Sequence, residues 1–292
     1  MILVLGATGT TGGEVARQLI QAGQKPRLLV LNPSKARAFE GKAEIVRGDL
    51  GNPESLMAAM QGIAGLYLMS PAASDPELEG NAIDAAKKAG VKHVVKLSVI
   101  GADAPIVMFS KWHARSEALL RESGLAWTML RPQTFMTYAL EWAHTIRSQG
   151  AFYLPTGEGR WAAIDPADIG AVAVKALTEP GHEHQAYTLT GPESLSAAQY
   201  AVKLSVAIGK PVKFVDVPPE AARQGMLQKG IPTVLVDALM ELLAVTKAGK
   251  LDAVSDGVYK ATGRNWRHST TGRSGMPRRF SKQFCGEGTK QA

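Results

Sequence analysis

The run Ile2-Leu3-Val4-Leu5-Gly6-Ala7-Thr8-Gly9-Thr10-Thr11-Gly12 decides the fold. Four apolar residues read as a buried strand. Three glycines at intervals of three follow, and residues 12–21 continue as a helix with Val15, Leu19 and Ile20 on one side. Glycines in this context have separable jobs: Gly6 permits a tight turn, Gly9 lets backbone approach a pyrophosphate, and Gly12 allows a helix to pack close on a sheet. The helix start offers unpaired N–H groups and the positive end of its dipole to phosphate oxygens. Thr8, Thr10 and Thr11 add hydroxyl donors. The stretch therefore points to a dinucleotide, against the plain alternative of a strand-to-helix turn that uses glycine for geometry alone.

Outward from this turn, short apolar runs alternate with helical patterns. Strands are expected over 2–5, 27–31, 44–46, 65–69, 93–97 and 126–130, and helices over 12–21, 53–60, 77–89 and 110–122. Asn52 precedes one helix as its N-cap, and Ser34 is placed to cap a short one. Apolar strands alternating with helices mean βαβ units, and the right-handedness of such crossovers makes the architecture α/β, a doubly wound parallel sheet of the Rossmann type. After Arg131-Pro132 the pattern becomes more helical, with helices expected over 166–177, 197–208, 218–229 and 233–246 and short strands over 187–190 and 213–217. The expected organisation is a dinucleotide-binding domain over 1–150, a smaller, mostly helical substrate lobe over 151–263, and a basic tail over 264–292 expected to be disordered. Residues 160–190 are expected to return to the first domain.

The chain has 292 residues, 45% hydrophobic and 20% charged, enough for a substantial core. A single cysteine, Cys285, excludes an intrachain disulfide and any multi-cysteine metal site, and a reducing, cytoplasmic setting is expected. No metal site is expected. No apolar run approaches the length of a membrane span, and the N-terminus lacks the basic start of a signal peptide. The net charge of +7 sits in the tail: the first 263 residues hold 26 basic and 25 acidic side chains. A near-neutral body suits small-molecule partners, probed as a monomer or homodimer, and not nucleic acid or membrane.

The strand that should contact the adenosine ribose ends Val30-Leu31-Asn32-Pro33-Ser34-Lys35, with neither the carboxylate that holds a free 2′-hydroxyl nor an arginine for a 2′-phosphate. The missing carboxylate removes the repulsion that would exclude a 2′-phosphate. Asn32 can bond either ribose, and Lys35 can meet a phosphate as a point charge, unless it is simply a solvated residue. NADP(H) therefore stands ahead of NAD(H). Asp49 and Leu50 are expected beside the adenine, Met69 and Ser70 along the dinucleotide, and Gln133 and Phe135 at the border of the nicotinamide pocket. Ser98, Lys111 and His113 are the candidate catalytic residues. Ser98 ends a strand beside the expected nicotinamide, and His113, near its free pKa, would shuttle protons. A hydrogen bond from His113 to Glu117 one turn on is the plainer reading. Tyr138, Trp142, Phe152 and Trp161 line an aromatic substrate cavity or belong to the core.

Gly6 to Gly12, Gly48-Asp49-Leu50, Leu97-Ser98, Lys111-Trp112-His113 with Glu117, and Trp127-Thr128-Met129-Leu130-Arg131-Pro132 together resemble the NmrA-like atypical short-chain dehydrogenases/reductases. Within them the chain is most similar to the NAD(P)H:quinone oxidoreductase and triphenylmethane reductase branch, from Met1 to about Gly263. The resemblance implies a Rossmann domain, a small substrate domain, NADP(H), and hydride transfer to an aromatic, quinone-like or other conjugated acceptor. Phe109 and His113 fall where typical short-chain dehydrogenases carry tyrosine and lysine, and Leu31 falls where branch members commonly carry arginine. Phe109 has no proton to give, which disfavours acid catalysis on simple ketones and the chemistry of nucleotide-sugar epimerases. A dinucleotide-responsive regulator without turnover is the alternative. Residues 265–292 depart from the family's final helix and read as a shifted frame or an unrelated extension.

Overall fold

The computed structural model describes residues 1–70 and 76–264, and these divide into two compact units. The first comprises Met1–Pro132, Pro166–Leu189 and Asp256–Arg264. The second comprises Gln133–Asp165 and Thr190–Ser255. The basic tail over 265–292, with Cys285, lies outside the described residues.

In chain order the first unit begins β1 (Ile2–Leu5), α1 (Thr10–Gln21), β2 (Arg27–Val30), β3 (Glu44–Arg47), α2 (Pro53–Ala59) and β4 (Gly65–Leu68). It continues with α3 (Pro76–Ala89), β5 (His93–Leu97), α4 (Met108–Glu122) and β6 (Ala126–Pro132). The second unit opens with a 3₁₀ turn (Met136–Trp142), α5 (Ala143–Gln149), β7 (Ala151–Leu154) and β8 (Arg160–Trp161). The chain then returns to the first unit for α6 (Pro166–Thr178) and β9 (Gln185–Leu189). It crosses again for β10 (Leu195–Ser196), α7 (Ala197–Ile208), β11 (Lys213–Asp216), α8 (Pro219–Gln228) and α9 (Thr233–Lys247), and ends with α10 (Gly257–Thr262) in the first unit.

Seven parallel strands form the sheet of the first unit in the order β3-β2-β1-β4-β5-β6-β9. Strands covered on both faces need apolar side chains on both, and β1, β2 and β4 supply nearly unbroken runs. Leu3, Leu5, Leu29, Leu66, Leu68, Val94 and Met129 share one core with Leu56, Ile83 and Leu120 of α2, α3 and α4. On α6, Gly170 lets α1 come close: a Cβ there would lie 2.7 Å from the Gln18 amide nitrogen, which instead donates to Ala167 O at 2.8 Å.

Two boundaries differ from the sequence reading. Residues 133–150 group with the second unit, because Ala139, Ala143 and Ile146 bury themselves against Phe152, Tyr200 and Leu204. Residues 256–264 group with the first, because Val258 and Ala261 of α10 are buried where that helix meets α6 and β9. The second unit also contains β7 and β8, which pair with β11 and β10 and were not legible as strands. Two-residue and four-residue strands with mixed polarity carry too little periodicity to be recognised.

Phe152 is the centre of the second core, fully buried and stacked on Trp142 with centroids 4.2 Å apart. Phe152→Ala removes that ring from a site that cannot fully collapse, and a loss of about 3–5 kcal/mol is expected. Urea denaturation of the purified variant measures it.

Candidate dinucleotide site and an adjoining buried polar layer

The glycine turn has the geometry its composition implies. Gly6 has φ +65°, and a Cβ on it would lie 2.1 Å from Met69 Sδ. A Cβ on Gly12 would sit 2.2 Å from Gly6 O and 2.7 Å from Leu5 O, so nothing but glycine fits where α1 crosses the end of β1. Gly9 is different. It is extended, with φ −99°, and a Cβ there would meet Gly6 O at 3.3 Å, a tight but tolerable contact. Geometry alone thus demands Gly6 and Gly12 but not Gly9, whose bareness leaves the helix start open. The helical ladder begins at Gly13 N–H to Gly9 O, and no side chain caps α1, so the N–H groups of Thr10, Thr11 and Gly12 have no helical acceptor. Thr8 and Thr10 are exposed, whereas Thr11 is buried. Its hydroxyl faces the buried Tyr67 phenol, so the Thr11 side chain is not offered to a ligand. These residues fit a pyrophosphate: open approach at Gly9, unpaired donors, and no acidic side chain in the first turn.

The other candidates follow neighbouring strand ends. Asn32, after β2, caps the 3₁₀ turn Pro33–Phe39, its Oδ1 accepting from Ser34 N–H at 3.0 Å and Ser34 O–H at 2.8 Å. Asn32 is therefore the cap, not Ser34. Lys35 is exposed, as is Leu31. After β3, Asp49 Oδ1 accepts from Gly51 N–H at 2.9 Å, and Leu50 O accepts from the Asn81 amide at 3.0 Å. After β4, Met69 lies against Gly6, and Ser70 is buried. Because β3, β2, β1, β4 and β5 are adjacent and parallel, Asp49, Asn32, Gly6, Met69 and Ser98 line one edge of the sheet, its carboxyl edge. Gln133 and Phe135 belong to the second unit. Gln133 Nε2 donates to Leu251 O at 2.9 Å and its Oε1 accepts from Ala162 N–H at 2.5 Å, so its amide is spent as an internal clamp. Phe135 stacks on Tyr138, which is exposed. Phe152 and Trp161 are core residues, Trp161 stacked on Tyr200 and Trp142 on Phe152.

Between the sheet and helices α3 and α4 lies a layer of buried charge. Glu117 has no exposed surface and receives Arg131 through two hydrogen bonds, Nε to Oε1 at 2.9 Å and Nη2 to Oε2 at 2.7 Å. Arg121 donates to the same carboxylate at 2.8 Å. Ser98 O–H donates to it at 2.6 Å, so the Ser98 proton is directed inward. Burial alone would raise the Glu117 pKa, but the hydrogen bonds from Arg131 and Ser98 outweigh it and hold the carboxyl below its ordinary range. Arg131 also pairs with Asp103 at 3.1 Å. Two residues before Ser98, Lys96 is fully buried, 2.7 Å from the buried Glu79 carboxylate. Its ammonium donates to Leu97 O at 3.0 Å and to His113 Nδ1 at 3.4 Å. Burial, then the Lys96 charge, push the His113 pKa down to about 4. His113 is thus neutral at neutral pH, paired with Lys96 and not with Glu117, which corrects the expectation of a near-ordinary pKa. Lys111 is exposed, and its backbone N–H donates to Val107 O at 3.0 Å. The three candidate catalytic residues therefore have three separate environments.

The family described as NAD(P)H-binding matches residues 6–180, more than half the chain. The chain belongs to this family, in its NmrA-like branch. It is 44% identical over 268 residues to an NAD(P)H azoreductase from Xenophilus azovorans, covering 90% of this chain and 93% of the relative. An NADPH-dependent quinone oxidoreductase from Escherichia coli, solved with NADPH, has a TM-score of 0.84 at 28% identity, covering 97% of this chain and 98% of that one. The triphenylmethane reductase of Citrobacter sp., complexed with NADP(H), has a TM-score of 0.81 at 25% identity, covering 97% and 99%. The chain is an NAD(P)H-dependent oxidoreductase with a nicotinamide dinucleotide as cofactor.

Sequence reasoning about this oxidoreductase missed Glu79 and Lys96. The available signal was a lysine inside the apolar strand His93-Val94-Val95-Lys96-Leu97; its partner lies in a different helix, so no local spacing announces it. Among the described residues, no cluster of three His, Cys, Asp or Glu side chains is placed to hold a metal, and no helix is long and apolar enough to cross a membrane.

Depressing the His113 pKa in the folded state has a signed consequence. Between pH 6.5 and about 4 the unfolded chain takes up a proton that the folded chain refuses, so stability falls as the pH drops through that window. His113→Gln should flatten the fall by about 1–3 kcal/mol in urea denaturation series compared across that range.

Proposed function

We propose that this chain passes hydride from NADPH to a conjugated acceptor of quinone or azo type. The observation that carries this reading is the turn itself: an uncapped start of α1 kept open by a glycine, Gly9, that backbone geometry does not require. The N–H groups of Thr10, Thr11 and Gly12 and the hydroxyls of Thr8 and Thr10 would hold the pyrophosphate, and Gly6 would shape the approach. Asn32 would use its amide N–H₂ for the adenosine ribose, its oxygen being engaged by Ser34. Lys35 would meet a 2′-phosphate, which is the ground for placing NADPH ahead of NADH. Asp49 and Leu50 would flank the adenine, and the backbone at Met69 and Ser70 would run along the dinucleotide.

When bound, the nicotinamide supplies the hydride. The chain's own contribution is to hold cofactor and acceptor in register and to stabilise the charge that arrives. Phe109 packs edge-on against Trp112 with centroids 5.3 Å apart and has no O–H to donate, so the acceptor must itself take up the arriving charge, by spreading it over a conjugated system or by neutralising a positive charge of its own. The azoreductase, quinone oxidoreductase and triphenylmethane reductase to which the chain is similar are named for acceptors of this kind. Ser98, Lys111 and His113 are the side chains assigned to the hydride end, with His113 foremost, since Ser98 is directed to Glu117.

Titration with NADPH and NADH, followed by loss of nicotinamide absorbance with a panel of quinones, azo compounds and cationic triphenylmethane dyes, tests the reading. Acceptor-dependent oxidation is expected; tight binding with no oxidation across the panel would overturn it. Gly9→Val should weaken NADPH binding by about 100-fold, roughly 2.7 kcal/mol, while circular dichroism stays that of the parent. Lys35→Ala should weaken NADPH about 10-fold and leave NADH unchanged, measured by the same titration.

A further inference from the structure

His113 is the one candidate side chain whose protonation the surrounding fold dictates. An ammonium has three donors and no acceptor, so the ring nitrogen that meets Lys96 Nζ must present a lone pair. Nδ1 is therefore bare and the proton resides on Nε2. A second proton would set an imidazolium against the fully buried ammonium of Lys96 3.4 Å away. The charged groups that face the ring are Lys96 from β5, Glu79 from α3 and Glu117 from α4. Each carboxylate already faces another cation. Glu79 is committed to Lys96 at 2.7 Å, and Glu117 to Arg131 and Arg121. Among the described residues, Nε2 makes no hydrogen bond. His113 reaches Lys96 at the end of β5, two strands from β1, on the side of the sheet's crossover away from β2 and β3. In open parallel sheets that carboxyl edge is where the ligand lies, and the half beyond the crossover receives the part of the dinucleotide distal to the adenosine.

We propose that Lys96, held in place by Glu79, fixes the neutral His113 ring as its Nε2–H tautomer, and that this N–H hydrogen-bonds the acceptor atom that becomes electron-rich when hydride arrives. The inference rests on the function proposed above. The acceptor gains H⁻ from the bound nicotinamide, which is oxidised; the resulting anion is stabilised by the N–H and takes H⁺ from water, while His113 keeps its own proton. A neutral imidazole acts here as an electrophile, a role imidazoles perform elsewhere when a fold suppresses their charge. His113 is the catalytic residue in this scheme, and Lys96 and Glu79 position it. An apolar side chain at Lys96 would pack there without a charge to neutralise.

The tautomer is tested without turnover. Nitrogen-15 spectra of the full chain labelled at histidine, with His113 assigned by its disappearance in His113→Gln, should show a proton on Nε2 and no titration from about pH 7.5 down to about 5. A His113 that titrates near its ordinary value overturns the lock. In Glu79→Gln/Lys96→Met, which leaves no unpaired buried charge, the donor facing Nδ1 is gone and the ring should show both neutral tautomers; a ring that stays protonated on Nε2 alone overturns the role of Lys96. Kinetics test the catalytic half. With a quinone acceptor, His113→Phe should lower kcat about 100-fold with NADPH affinity unchanged, and His113→Gln, which restores an N–H, should recover to within about 10-fold of the parent. A His113→Phe enzyme with parental kcat overturns the donor role. Absence of turnover with every acceptor removes the catalytic half together with the proposed function, while the spectra still decide the lock.

Discussion

At the end of β1 the first helix crosses so closely that a single methyl group at Gly12 would collide with the carbonyl oxygen of Gly6. Much else depends on that contact. It requires the left-handed conformation at Gly6, it brings Met69 of the next strand against the turn, and it starts α1 directly above the sheet edge. Because the chain arrives through glycine, no side chain is available to cap the helix, and the N–H groups at its start stay unpaired. A turn built this way has unmet donors and a dipole end exposed along the line of strand ends, which is the physical basis of phosphate recognition.

A second constraint lies beneath α3 and α4. Burying Glu117, Arg131, Lys96 and Glu79 in a sheet flanked by apolar helices is expensive unless each charge meets its opposite, and the distances of 2.7–2.9 Å show that they do. The pairing has consequences for the chemistry beside it. Glu117 draws in the Ser98 hydroxyl, and burial together with Lys96 suppresses the charge on His113. The same ion pairs that satisfy the interior therefore set the protonation of the groups at the carboxyl edge.

Much of the fold was legible because parallel strands and their crossover helices leave strong local patterns. The strands from β1 to β6 and the N-cap at Asn52 each rest on spacing or on one residue's chemistry with its near neighbours. Other features had no local pattern to read. The short strands β7 and β8 find their partners some 35 to 60 residues away. Gln133 looked like a pocket residue by its place after β6, yet its amide closes on Leu251 and Ala162. Thr11 looked like a phosphate donor until its side chain proved to face Tyr67.

The sequence by itself determined that this chain winds a parallel sheet around a glycine turn with the makings of a dinucleotide site, because those demands fall on residues adjacent along the chain. Only the tertiary structure decided which side chains at the strand ends are free to act. Glu79, Lys96 and His113 come from three elements, and so do Ser98, Glu117 and Arg131. Protonation and hydrogen-bond direction in a buried layer depend on distances between such elements and on the exclusion of water, quantities that exist only after folding.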